Sequence, residues 1–135
     1  MVDAKYYSGE VHIRDARGIF SSNERLYVGV RDCSGAADAM RWQVDAVKAA
    51  LAAVGLPTSA LAQSNAESDN APIEVTPVLC FIDAEWPILF PPTEFRGVRL
   101  EGIRSIKRLL TRKSSLNILN VHRIHQTLEE AFPPK

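Results

Sequence analysis

Asp3 and Lys5, two positions apart, are the first pair in this 135-residue chain whose types and spacing could do chemistry. Residues two apart on a strand share one face. A carboxylate beside an ammonium on such a face suits phosphodiester hydrolysis. The carboxylate would hold a hard divalent ion, Mg²⁺ or Mn²⁺, through oxygen. The ion would lower the pKa of a bound water and neutralise charge on the phosphorane. The lysine would orient or deprotonate that water and offset charge in the transition state. The same spacing also describes a solvated surface ion pair, and by itself it is common.

Gln43 is the second candidate. It falls within an apolar helical seam, between Met40 and Val47. A primary amide there must find hydrogen-bond partners or destabilise the fold by roughly 1–3 kcal/mol. One reading is a satisfied glutamine in the core or at the seam's edge. The other is a side chain presented toward the sheet edge that bears Asp3 and Lys5.

The third candidate is a charge cluster. Residues 49–95 hold no Lys or Arg, whereas residues 96–113 hold Arg96, Arg99, Arg104, Lys107, Arg108, Arg112 and Lys113 against Glu101. Arg104, Lys107, Arg108 and Arg112 recur at i, i+3, i+4 and i+8, which makes one helical face cationic. Phosphate contact is the functional reading, non-specific and salt-sensitive. A solvated outer face is the alternative, and no aromatic residue interleaves with these bases to suggest single-strand stacking. Asp83 and Glu85 read as turn and cap residues at a strand end. His12, His122 and His125 lack metal-ligand spacing. Cys33 and Cys80 are too few for a disulfide framework and read as buried thiols.

The elements that must position these residues follow from hydrophobic periodicity. Residues 2–7 and 9–14 alternate as two short strands about a Ser8-Gly9 turn, with Val2, Ala4 and Tyr6 toward the core. Leu26–Val30 is a third strand, and the three together predict an antiparallel start. Ser34 is the expected N-cap of a helix that runs to about Val54, closed by Gly55 and Pro57. Residues 58–72 are small and polar, a flexible loop. Val75–Ile82 is a buried strand and Val98–Leu100 a short one. A helix from Ile103 to about Lys113 turns Ile103, Ile106, Leu109 and Leu110 inward, and a last helix spans Asn117–Phe132. The expectation is one α/β (α+β) domain over 1–135, a mixed sheet flanked by helices. Sixteen bases balance sixteen acids, so bulk charge does not draw this chain to nucleic acid. No apolar run is long enough for a transmembrane helix, and the start carries no signal-peptide pattern, so a cytoplasmic protein with no membrane partner is expected.

Several blocks of the chain, in order, resemble the nuclease-related domain, NERD. The first is Val2-Asp3-Ala4-Lys5-Tyr6-Tyr7-Ser8-Gly9-Glu10-Val11. Next come Leu26-Tyr27-Val28-Gly29-Val30-Arg31-Asp32 and the helix carrying Arg41-Trp42-Gln43-Val44-Asp45-Ala46-Val47-Lys48-Ala49-Ala50-Leu51. Val78-Leu79-Cys80-Phe81-Ile82-Asp83-Ala84-Glu85-Trp86-Pro87 and Arg96-Gly97-Val98-Arg99 complete the order. The resemblance implies a restriction-endonuclease-like core of the PD-(D/E)XK type and a metal-dependent hydrolase role in DNA processing. Residue by residue, Asp3 and Lys5 match the acid and lysine of (D/E)XK, and Gln43 matches a helix glutamine near the site. Asp3 is the implied metal ligand, for Mg²⁺ or Mn²⁺.

The family's domain begins earlier, with a Glu-bearing helix and a strand ending in the first metal-binding Asp. This chain starts immediately ahead of the (D/E)XK strand and reads as truncated at the N-terminus. Val30 also stands where the family has a glycine, and Cys33-Ser34-Gly35 replaces a more basic turn. The expectation is therefore an incomplete metal centre without Lys5-dependent nuclease activity. An apolar sheet face around Val2, Ala4 and Tyr6 is expected to be left open, favouring self-association. Two functions stay open: a Mg²⁺-dependent DNA nuclease, or a non-catalytic module that binds nucleic acid or protein.

Overall fold

This computed structural model describes residues 1–16, 23–56, 58, 72–112 and 116–134. Along the chain the elements are β1 (Val2–Lys5), β2 (Gly9–Ala16), β3 (Asn23–Val28), β4 (Arg31–Asp32) and α1 (Ser34–Ala53). They continue with β5 (Val78–Phe81), β6 (Ala84–Glu85), β7 (Glu94–Phe95), β8 (Val98–Gly102), α2 (Ile103–Leu110) and α3 (Ile118–Ala131). The fold is mixed α and β, as expected, with two four-stranded sheets. The first has the order β1-β5-β8-β7 and the second β4-β3-β2-β6.

In the first sheet β1, β5 and β8 run parallel, and β7 returns antiparallel beside β8. β5 lies between β1 and β8, and both of its faces are covered. That is why all four of its residues, Val-Leu-Cys-Phe, are apolar and buried. β8 borders it with Val98, Leu100 and Glu101 buried and Arg99 exposed. In the second sheet β2 and β3 form a hairpin, with Val11 opposite Val28 and Ile13 opposite Leu26.

The chain divides into two compact units, Met1–Trp42 with Thr76–Arg112, and Gln43–Val75 with Lys113–Lys135. The first holds both sheets and α2. Its core includes Val11, Leu26, Leu79, Phe81 and Val98, all fully buried. Each such side chain contributes about 1.5–3 kcal/mol by leaving water. The second unit packs Leu51, Leu56 and Ile73 with Val47, Val75, Leu116, Ile124 and Leu128.

Four local expectations are corrected. β1 does not form a hairpin with β2. It pairs with β5 some 75 positions later, with Val2 beside Val78 and Lys5 beside Phe81. The Val78 and Ile82 N–H groups donate to the Met1 and Lys5 carbonyls at 3.0 and 2.9 Å. Gly9 marks a backbone crossing rather than a hairpin turn. Its φ is +118°, and a Cβ there would stand 2.7 Å from the Gly29 Cα. Only glycine permits that approach.

The second correction concerns Ser34. Its hydroxyl accepts from the Leu26 N–H at 3.0 Å, and its own N–H donates to the Asp32 carboxylate at 2.9 Å. Asp32 is thus the side chain that caps the start of α1. Third, the buried track of α1 runs through Ala37, Met40, Val44 and Leu51. Gln43 lies about 100° around the helix from Val44 and is exposed, outside the seam. Fourth, α2 ends at Leu110 and buries Ile106, whereas Ile103 and Leu110 are exposed. Of the 58–72 loop, all but Thr58 and Pro72 lie outside the described residues.

Candidate functional site

β1 is an edge strand, and its pattern is inverted. Asp3 and Lys5 share a face, as their spacing predicts, and Lys5 Nζ lies 3.0 Å from Asp3 Oδ2. Their side chains are 31% and 33% exposed. The expected core residues are the open ones: Val2 is 41% and Tyr6 71% exposed, and Ala4 is exposed too. The reason is register. Asp3 lies beside Leu79, itself beside Leu100, and Lys5 lies beside Phe81, so the charged pair shares its side of the sheet with buried apolar residues. Val2 and Ala4 take the side of Val78 and Cys80, where Ile106 and Leu109 of α2 complete a cluster that does not include them.

Two groups that sequence reasoning missed complete the surroundings of Lys5. Tyr7 stacks on Phe81 with ring centroids 6.4 Å apart, and the Arg31 guanidinium lies 4.4 Å from the Tyr7 ring centroid. Tyr7 continues the i, i+2 spacing from Lys5, a signal present in the sequence. Arg31 opens β4, and nothing local connects it to β1. The hydrogen bond and charge of Asp3 hold the Lys5 ammonium above its ordinary pKa, with Tyr7 adding slightly. Lys5 is therefore a cation at neutral pH, not a general base.

Lys5, Phe81 and Gly102 stand in one row at the carboxyl ends of three parallel strands. Two strand spacings, roughly 10 Å, separate Lys5 from Gly102, where α2 begins. Open parallel sheets commonly bind ligands at this end.

The remaining acids of the first unit do not join Asp3. Glu101 is in the row of Ala4 and Cys80, one register position off, and so faces the other side of the sheet. There it pairs with Arg99. Burial pushes its carboxyl pKa up, but the Ser105 hydroxyl, Arg99 and Arg108 outweigh that and hold it below the ordinary value. Asp83 accepts a hydrogen bond from the Ser8 hydroxyl. Asp32 receives two hydrogen bonds from Ser34 and one from Arg25, which bring its pKa down to about 2. Glu10 and Asp15 are exposed on β2. Glu85 pairs in register with Glu10 through β6, a short strand where a turn was expected.

A divalent ion is tested against this donor set. Among the described residues no three His, Cys, Asp or Glu side chains gather as a metal-ligand group. The carboxylate of β1 itself is Asp3, one of whose oxygens already accepts from Lys5. Mg²⁺ needs octahedral oxygen ligation and is held weakly by a single carboxylate. These residues do not fit the ion.

Gln43, the third residue of the expected centre, is exposed and belongs to the second unit. Of the basic cluster, Arg104, Lys107 and Arg108 are exposed on α2, and Arg112 is exposed just beyond its end. Arg104, Lys107 and Arg112 form no ion pair with a described residue. Arg96 is committed elsewhere, to Asp38 at 3.0 Å and to the Glu24 carbonyl at 3.0 Å. No described helix is long and apolar enough to cross a membrane. Searches of family models, curated proteins and solved structures find no match for the chain.

Proposed function

We propose that this chain is a NERD-like, restriction-endonuclease-like module of DNA processing. Its Asp3–Lys5 face engages the DNA phosphodiester backbone, and its own described residues bind rather than cleave. One observation carries this reading: the half-buried side of β1 holds an ion pair, and the open side holds Val2, Ala4 and Tyr6. Burying charge and exposing apolar surface both oppose folding. Breaks of this kind in the local pattern concentrate at functional sites. The position of the pair at the carboxyl end of a parallel strand supports the reading, as does the order of the blocks that resemble the family. The cation is Lys5, with Arg31 and Tyr7 close by to present it.

The test is anisotropy of a labelled DNA duplex titrated with the protein at low ionic strength. Lys5→Ala is expected to weaken binding several-fold and to lower the salt slope by about 0.9, the share of one phosphate contact. Unchanged affinity and slope would refute the assignment. Plasmid nicking with Mg²⁺ is expected to show no Lys5-dependent activity. Nicking that Lys5→Ala abolishes would replace the binding module with a working nuclease.

A further inference from the structure

The first unit has an open concavity of about 1080 Å³ whose lining includes Arg104 and Arg108, two of the bases read for phosphate contact. It lies where β8 passes into α2. One wall is Trp86 with Pro87, Pro91 and Pro92. Arg104 and Arg108 of α2 belong to the same lining. Residue 86 is far from the basic helix in sequence, which hid the aromatic partner. The fold brings them together: a Cβ on Gly102 would stand 2.6 Å from Trp86 Nε1, so the indole packs directly on the glycine that opens α2.

The electrostatics of the concavity favour an anion. Glu101, in its lining, is buried and already matched by Arg99 and Ser105. The first turn of α2 contains no acid, and its free N–H groups and the helix dipole add positive potential. Arg104 has no described ion-pair partner. Glu94 is the exposed carboxylate among the lining residues. Beyond the wall the chain is apolar and open. Pro87 and Pro91 line the concavity, so Ile88, Leu89 and Phe90 stand out from its rim, Ile88 98% and Phe90 95% exposed.

Flat apolar side chains and guanidinium groups in one lining suit a ligand with flat faces and phosphates. A duplex hides its base faces in the stack, whereas a single strand offers them. We propose that this concavity binds single-stranded nucleic acid, with a base against the Trp86–proline wall and adjacent phosphates on Arg104 and Arg108. The inference rests on the nucleic-acid reading of the Asp3–Lys5 face and adds the strandedness of the ligand. The concavity's volume, at the upper end of small-molecule sites, leaves room for more than one nucleotide.

Trp86 is its own reporter. The chain has two tryptophans, and Trp42 is exposed on α1, so Trp42→Phe leaves Trp86 as the sole tryptophan, excited selectively at the red edge of indole absorption. Titration of this variant with labelled oligothymidylate, at low ionic strength, is expected to quench Trp86 emission saturably as the label's anisotropy rises. Arg104→Gln with Arg108→Gln, both at exposed positions, should weaken binding on the order of tenfold and lower the salt slope by about 1.4, two single-strand phosphates. A melting curve for each variant separates lost binding from lost fold. Lys5→Ala, tested with duplex in parallel, distinguishes the two sites. Oligothymidylate that binds without quenching Trp86, or whose affinity ignores both arginines, overturns this site and leaves the Lys5 reading standing. Lys5-dependent duplex binding with no single-strand binding does the same. No binding of either nucleic acid overturns both readings. Equal quenching by polyglutamate overturns the ligand class.

Discussion

Gly102→Ala puts one methyl group where the Trp86 indole already lies. The added Cβ would meet Nε1 at 2.6 Å, Cε2 at 3.2 Å and Cδ1 at 3.4 Å. The backbone is not at issue, because Gly102 has φ −97° and ψ 174°, which alanine adopts freely. The whole effect must come from packing. A contact at 2.6 Å requires the ring or the strand end to shift, and Gly102 sits in register beside the fully buried Phe81. Overpacking of this kind costs about 1–3 kcal/mol. At roughly 4 °C per kcal/mol for a chain of this length, Tm should fall by about 4–12 °C. The assay is thermal unfolding followed by circular dichroism, with Trp86 emission recorded in the Trp42→Phe background. Emission should move to the red as the indole is pushed into water. Trp86→Leu removes the obstacle, so Gly102→Ala should cost much less in that background, and the double-mutant cycle measures the difference. A Tm unchanged by Gly102→Ala, or an equal loss with and without the indole, would refute the contact and remove the wall on which the concavity depends.

Two further outcomes follow from the charges and thiols. Asp32 titrates at about 2 in the fold against an ordinary 3.8, chiefly through the Ser34 N–H and hydroxyl and then Arg25. A depressed value means that its stabilisation is complete above the ordinary pKa and is lost as pH falls from about 4 to about 2. Asp32→Asn should therefore lower Tm at neutral pH and flatten the acid limb in that window; an equal loss at pH 2 and pH 7 would contradict it. Cys33 and Cys80 are both buried and unpaired, and burial raises the pKa of each thiol. Neither should be alkylated by iodoacetamide in the native protein at neutral pH, and both should be modified once it unfolds. Rapid native labelling of either, read by mass spectrometry, would place that thiol at the surface.

Local periodicity was enough to locate most elements. The helix expected from Ser34 to about Val54 is α1, Ser34–Ala53, and the one expected over Asn117–Phe132 is α3, Ile118–Ala131. The apolar run ending at Ile82 is β5, and the first base-rich helix starts at Ile103 as expected. The shared face of Asp3 and Lys5 was equally legible, because a strand's two-residue alternation needs no knowledge of its partner.

Which face of that strand is covered was a different matter. Alternation separates Val2, Ala4 and Tyr6 from Asp3 and Lys5, but the neighbour decides which set is buried. The neighbour is β5, about 75 residues on, and its register places the charged pair beside Leu79 and Phe81. The same long-range pairing parts β1 from β2 and puts Glu101 out of reach of Asp3. Trp86 against Gly102, and Arg31 over Tyr7, are likewise contacts between segments that no local pattern joins. By itself the sequence determined where the longer strands and the helices form and which residues share a side, because hydrogen-bond geometry and side-chain periodicity act within a few residues. Only the tertiary structure decided which side is buried and which distant side chains meet, because burial belongs to the contact between two surfaces rather than to either one alone.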